Sequence, residues 1–142
     1  MNRKEIILQK GCEPACLLGK KYSYEQREQF YNDFHSIIWI CYRSKLEDKF
    51  GDAGWGCMIR VCQMVMAQTL KRGNPNMHNS EIIKEFSTSN SALFSFDKIC
   101  MEGKIMKRWT SSAEIMIAFQ DLLKDQDRFK LKVEMYNAEV SI

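Results

Sequence analysis

Gly54-Trp55-Gly56-Cys57-Met58-Ile59-Arg60 places one thiol where a glycine-flanked turn runs into an amphipathic segment. Downstream of Cys57, Val61, Met64, Val65 and Leu70 recur at roughly helical spacing, with Gln68 as a polar break, which predicts a helix to about Lys71. A cysteine at a helix start is a candidate nucleophile, because the unpaired N–H groups of the first turn stabilise a thiolate. Gly54 and Gly56 permit backbone conformations and a close substrate approach that side chains would block. Trp55 between them is placed to pack beside the thiol and keep water away. Spacing alone leaves a second reading open, a buried structural cysteine opening the helix.

Working outward, Glu25 to about Lys45 carries Phe30, Phe34, Ile37, Ile38 and Cys41 at i, i+4, i+7, i+8 and i+11, which predicts one amphipathic helix. Leu17–Tyr24 reads as a short edge strand with a turn at Gly19, and residues 1–16 as a loosely ordered N-terminal segment broken by Gly11 and Pro14. Lys45–Ala53 is a charged loop around Phe50. Beyond the Cys57 helix, Gly73-Asn74-Pro75-Asn76 breaks the chain. Ser80 is the expected cap of a short helix through Phe86, with Glu81 in its first turn. Ser87–Ser91 is a polar connector, and Ala92–Met101 a further helix ended at Gly103. Ser111 or Ser112 with Glu114 opens a helix whose apolar face is Ile115, Ala118, Phe119, Leu122 and Leu123. Phe129, Leu131, Val133 and Met135 alternate with Lys130, Lys132 and Glu134, the pattern of a half-exposed strand.

The 142 residues fit one domain, and 45% hydrophobic with 27% charged residues is ordinary globular composition. A net charge of +3, scattered in short pairs such as Lys20-Lys21 and Lys71-Arg72, gives no nucleic-acid face. No apolar run approaches the ~20 residues of a membrane span, and no secretory signal is evident. The expected setting is a reducing, cytoplasmic one, in which the six cysteines are free thiols. Cys12 and Cys16 form a C-x3-C pair without a second pair at zinc spacing, so no metal site is expected.

Several ordered segments together resemble the autophagy-related cysteine proteases, the autophagins. They are Asp52-Ala53-Gly54-Trp55-Gly56-Cys57-Met58 with Arg60, Gln63-Met64 and Ala67; Leu18-Gly19-Lys20-Lys21-Tyr22-Ser23; and Asp33-Phe34-His35-Ser36-Ile37-Ile38-Trp39-Ile40-Cys41-Tyr42-Arg43, similar to the helix before that family's active-site loop. Glu102-Gly103-Lys104 with Trp109 adds a looser match, so the resemblance spans about residues 17–123. It implies an α+β, papain-like fold, of which residues 17–142 would be the helix-rich N-terminal portion of an incomplete domain, closed by a terminal β-strand. It also implies roles: Cys57 as nucleophile, Tyr42 as oxyanion stabiliser, and Gly54, Trp55 and Gly56 as walls of a narrow glycine-selective tunnel. Trp109 would support a gating loop. Read alone, Tyr42 is more often a residue at the edge of the core, and Trp109 is equally a core-filling side chain. The charged loop before Gly54 is shorter than its autophagin counterpart.

The implied reaction is cleavage of a ubiquitin-like autophagy modifier after a glycine near its C-terminus, with later release of the lipid-conjugated modifier from phosphatidylethanolamine at membrane surfaces. It needs no cofactor, since the thiol supplies the covalent chemistry. It does need a base. The autophagin acid and base come from an Asp-Pro-His motif, whereas here Pro14 follows Glu13 and Pro75 follows Asn74. His35 and His78 read as surface or satisfied side chains. Losing the base of an interdependent triad costs on the order of 10⁴–10⁶ in rate, so residues 1–142 alone are expected to have negligible protease activity. The alternative, from a different class, is a non-catalytic module or fragment that docks the modifier without cutting it.

Overall fold

The computed structural model describes residues 13–43, 51–105, 107–129 and 131–134. They fall in two compact units, Met1–Ile37 and Ile38–Ile142. In the first, β1 (Ala15–Leu17) and β2 (Lys20–Tyr22) pair antiparallel with Cys16 opposite Lys21. The turn at Gly19 forms as expected: Leu18 and Gly19 both take positive φ, the backbone that lets a two-residue loop match the twist of its strands. A 3-10 turn over Tyr24–Gln26 then leads into α1 (Arg27–His35). Tyr22, buried, meets Phe30 edge to face at 5.3 Å. Its hydroxyl donates to Asp33 Oδ2 at 2.5 Å, and Lys20 Nζ reaches the same oxygen at 2.9 Å.

The helix expected to run to Lys45 stops ten residues early. Ser36 Oγ donates to the carbonyl of Asp33 at 2.7 Å, a side-chain bond that competes with helix continuation. The apolar run that follows, Ile37-Ile38-Trp39-Ile40, is β-branched or aromatic and disfavours helix. Residues 38–43 are therefore not helical, although Ile38 and Cys41 fall at helical spacing.

The second unit is built on α2 (Cys57–Gly73), which packs against α3 (Asn79–Lys84), α4 (Phe96–Glu102) and α5 (Ser112–Leu123); α4 also packs on α5. Helix α2 forms because Ile59, Cys62, Met66, Ala67 and Leu70 make one buried stripe. It ends where Asn74 N–H bonds the Leu70 carbonyl at 2.9 Å and Pro75 bars continuation. Phe94, fully buried, is the hub, with ring centroids 5.6 Å from Phe86, 5.4 Å from Phe119 and 5.9 Å from Phe129. Each such buried side chain contributes about 1.5–3 kcal/mol by its removal from water.

Three local expectations need correction. Helix α3 is capped by His78, whose N–H donates to Glu81 Oε2 at 2.8 Å, and Ser80 lies inside the first turn. Helix α4 begins at Phe96 rather than Ala92, because Phe94 N–H is drawn to the Glu85 carbonyl at 2.8 Å and Ser95 Oγ caps Lys98 N–H at 3.3 Å. The terminal strand does not form among the described residues. Asp127–Phe129 is a 3-10 turn, and residues 131–134 pair with no strand, Val133 giving its carbonyl instead to Gln120 Nε2 at 3.0 Å. Alternation alone makes no strand without a neighbouring edge; Lys130 and Met135 lie outside the described residues. Helix α5 opens on the expected Ser111–Glu114 capping box.

Candidate active site

Cys57 is the first residue of α2, with Gly56 as the residue before it. Asp52, five residues upstream, builds the turn that delivers it. Its carbonyl accepts the N–H of Gly56 at 2.8 Å and of Trp55 at 3.4 Å, and Gly54 takes φ +90°, a conformation that suits glycine. At Gly56 the need for glycine is steric. A Cβ there would sit 2.8 Å from Asp52 Cβ, 2.9 Å from the Asp52 carbonyl oxygen and 3.1 Å from Phe96 Cε2.

The side chain of Asp52 has no exposure, and it holds two further elements. Oδ2 accepts Arg60 Nε at 2.5 Å, and Oδ1 accepts the N–H of Arg43 at 2.8 Å. Arg60, also buried, passes Nη1 to Gln63 Oε1 at 2.9 Å, and Gln63 Nε2 donates to the Phe94 carbonyl at 2.8 Å. A chain of hydrogen bonds, buried from Asp52 onward, thus runs from Arg43 through the turn into the core. Burial pulls the Arg60 guanidinium below its ordinary value, opposed by its bond to Asp52. Its face lies on the Phe96 ring at 4.4 Å, and Phe96 in turn meets Trp55 edge to face at 5.3 Å.

The thiols divide by environment. Cys62 and Cys100 are buried, Cys16 and Cys41 exposed, and Cys57 is half-buried. Burial raises the Cys62 thiol and pushes Cys100 up to about 12, so both are neutral and inert near neutral pH. Cys57 is therefore neither sealed in the core nor simply an exposed surface residue. Cys12 lies outside the described residues.

The remaining candidates are distributed unevenly. Trp55 is half-buried, its Nε1 bonded to the Gly51 carbonyl at 3.1 Å and its ring turned to Phe96. Tyr42 is 52% exposed and stands next to the Arg43 amide that Asp52 holds, so the network reaches its backbone. Trp109, 73% exposed, fills no core; it belongs to the stretch before α5, where Arg108 Nη1 donates to its carbonyl and Arg108 Nη2 pairs with Glu114 at 2.6 Å. His78 is not placed as a base beside Cys57: it follows the far end of α2, about 24 Å of helix away. His35 closes α1.

Sequence reasoning assigned no role to Asp52, Arg60 or Gln63, although they stand inside the motif. The available signal was a charge and an amide at 60 and 63, on the same helical stripe as Ala67 and Leu70. Among the described residues no group of three His, Cys, Asp or Glu side chains could hold a metal ion. No described helix is long and apolar enough to cross a membrane.

Comparison with known proteins shows the family. The profile of the Peptidase C54 catalytic domain matches residues 27–142. Cysteine protease ATG4B of Xenopus laevis is 31% identical over 118 residues, covering 68% of this chain and 31% of that protein. Probable cysteine protease atg4 of Schizosaccharomyces pombe is 38% identical over 95 residues, covering 63% and 30%. Cysteine protease ATG4D of Xenopus laevis is 42% identical over 65 residues, covering 40% and 14%. The chain spans at most about a third of the length of these relatives. With more than half its residues matched by one catalytic-domain profile, and with its thiol at the mouth of α2, the chain belongs to the peptidase C54 family of cysteine proteases.

Proposed function

We propose that this chain supplies the nucleophile half of a papain-like cysteine protease that cuts a ubiquitin-like autophagy modifier after a glycine and later frees it from phosphatidylethanolamine. The observation that carries the reading is Cys57, half-buried at the first position of a 17-residue helix behind a turn closed by Asp52. In the reaction the Cys57 thiolate attacks the carbonyl carbon of the scissile bond, with Tyr42 donating to the developing oxyanion. The C–N bond then breaks, the amine leaves with a proton from the general acid, and water hydrolyses the thioester. Gly54 and Gly56 keep the approach to Cys57 free of side chains, Trp55 walls it, and Trp109 bears on a gating loop.

The proton donor is not among these residues: the sequence given holds two histidines, the cap of α3 and the end of α1. Residues 1–142 by themselves are therefore expected to show no appreciable turnover. The test is cleavage of a C-terminally extended modifier by the whole protein and by residues 1–142. Turnover by the whole protein that Cys57→Ser abolishes, with none from residues 1–142, is the expected result. Turnover that survives Cys57→Ser overturns the nucleophile assignment. Binding without cutting by the whole protein leaves the docking module instead.

A further inference from the structure

We propose that Asp52 is a positioning residue for the oxyanion side of the site, holding the Tyr42–Arg43 segment in place with Arg60 as its buried counter-charge. The inference rests on the reading of Cys57 as nucleophile and Tyr42 as oxyanion donor. Two jobs of Asp52 are separable. Its backbone carbonyl closes the turn before Cys57 through the Gly56 N–H, and any residue has that carbonyl. Its carboxylate does something only a carboxylate can do here. One oxygen takes the Arg43 N–H at 2.8 Å across nine residues, while the other takes Arg60 Nε at 2.5 Å.

The energetics point to geometry rather than stability as the reason for the pair. Both side chains are essentially out of water, 3% and 0% exposed. Buried ion pairs are often matched or bettered in stability by apolar residues of similar size, so one at a candidate active site is more informative about placement. Arg60 is itself fixed by Gln63 and Phe96, which anchors the carboxylate to α2 and the core. The anchored oxygen then sets the backbone of residue 43, and with it the direction in which Tyr42 leaves the chain. Tyr42 itself is half exposed, so its place depends on the backbone that carries it.

The test separates an oxyanion-dependent reaction from one that needs only the thiol. In acyl transfer from N-acetylglycine thiophenyl ester, the Cys57 thiolate adds to the carbonyl, an oxyanion forms, and thiophenolate leaves with the electron pair of the broken C–S bond. No protonated leaving group is needed, so the full chain as given suffices. Alkylation by iodoacetamide displaces iodide without an oxyanion. Both are read at Cys57 by peptide mass spectrometry. Asp52→Asn, which leaves one acceptor oxygen for two donors, is expected to slow acylation by about tenfold or more, a share of the ~10²–10³ that an oxyanion donor supplies, while alkylation changes by less than about threefold.

Tyr42→Phe is expected to slow acylation similarly, and the double variant no further, because both act through one donor. Equal slowing of both reactions by Asp52→Asn, or multiplicative losses in the double variant, overturns the proposal. If Asp52→Asn does not fold, Asp52→Glu enters the same cycle with the same criteria. Wild-type Cys57 acylated no faster than exposed Cys16 would instead overturn the nucleophile reading on which this one rests.

Discussion

Asp52 and Glu85 are both buried carboxylates, and they are partnered in opposite ways. Asp52 meets an arginine that is itself buried, and the pair lies inside a hydrogen-bonded chain that ends on the Phe94 carbonyl. Glu85 also touches the Phe94 neighbourhood, accepting Leu93 N–H at 3.2 Å, but its ion pair is with Arg128, whose side chain is 57% exposed. Water reaches Arg128 beside Glu85, whereas Asp52 and Arg60 are both enclosed. The first pair is committed to one geometry, close to the candidate nucleophile. The second ties the end of α3 to the 3-10 turn at Asp127–Phe129 and is replaceable.

The sharpest way to break this contrast is Arg60→Ala. It leaves the Asp52 carboxylate buried without a counter-charge, and the expected loss is about 3–5 kcal/mol in urea unfolding. A loss below about 1 kcal/mol would mean that solvent reaches Asp52 and that the two carboxylates are alike. Gly56→Ala comes next, expected to cost about 1–3 kcal/mol because its Cβ has no room against Asp52 and Phe96. A neutral outcome would show that the turn yields. Arg128→Ala should cost less than Arg60→Ala, because Arg128 is exposed and water enters beside the buried Glu85 when it is removed; an equal loss would erase the contrast.

Glu114 is the exposed limit of the same series and gives the smallest effect. Arg108 above all, then the Ser111 N–H and the Thr110 hydroxyl, holds its carboxyl well below the usual carboxylate range. In the unfolded chain it protonates near 4.5, before the folded chain does. Its contribution is thus complete above that pH and is lost as pH falls through the lower folded value. Thermal unfolding followed from pH 6 to pH 3 should decline less steeply for Glu114→Gln than for the parent. Identical slopes would remove Glu114 from the acid response.

What could be read without the structure follows the same division. Helices α2 and α5 were legible because their signals are local, apolar residues at helical spacing and a serine three residues before Glu114. The face of α2 was not, since Val61 and Val65 are exposed and Ile59, Cys62, Met66 and Ala67 are buried with Leu70. The overrun of α1 arose because Ile37, Ile38 and Cys41 satisfy helical spacing, while the Ser36 hydroxyl and the β-branched run that end the helix carry no periodicity. Alternation from Phe129 onward looked like a strand, but strand formation depends on a partner edge elsewhere. Cys57 and its glycines stood out as a candidate site. The Asp52–Arg60 clamp did not, because charged residues beside a motif are ordinarily solvated, and only folding shows that this pair is enclosed.

The account turns on Cys57 being selected by its place at the mouth of α2 rather than by exposure. The most direct measurement is capture by a ubiquitin-like modifier whose terminal glycine carries an electrophile, with the modified thiol identified by peptide mass spectrometry. The account predicts one adduct, on half-buried Cys57, ahead of the more exposed Cys16 and Cys41. An adduct on Cys16 or Cys41 with Cys57 unmodified would contradict it.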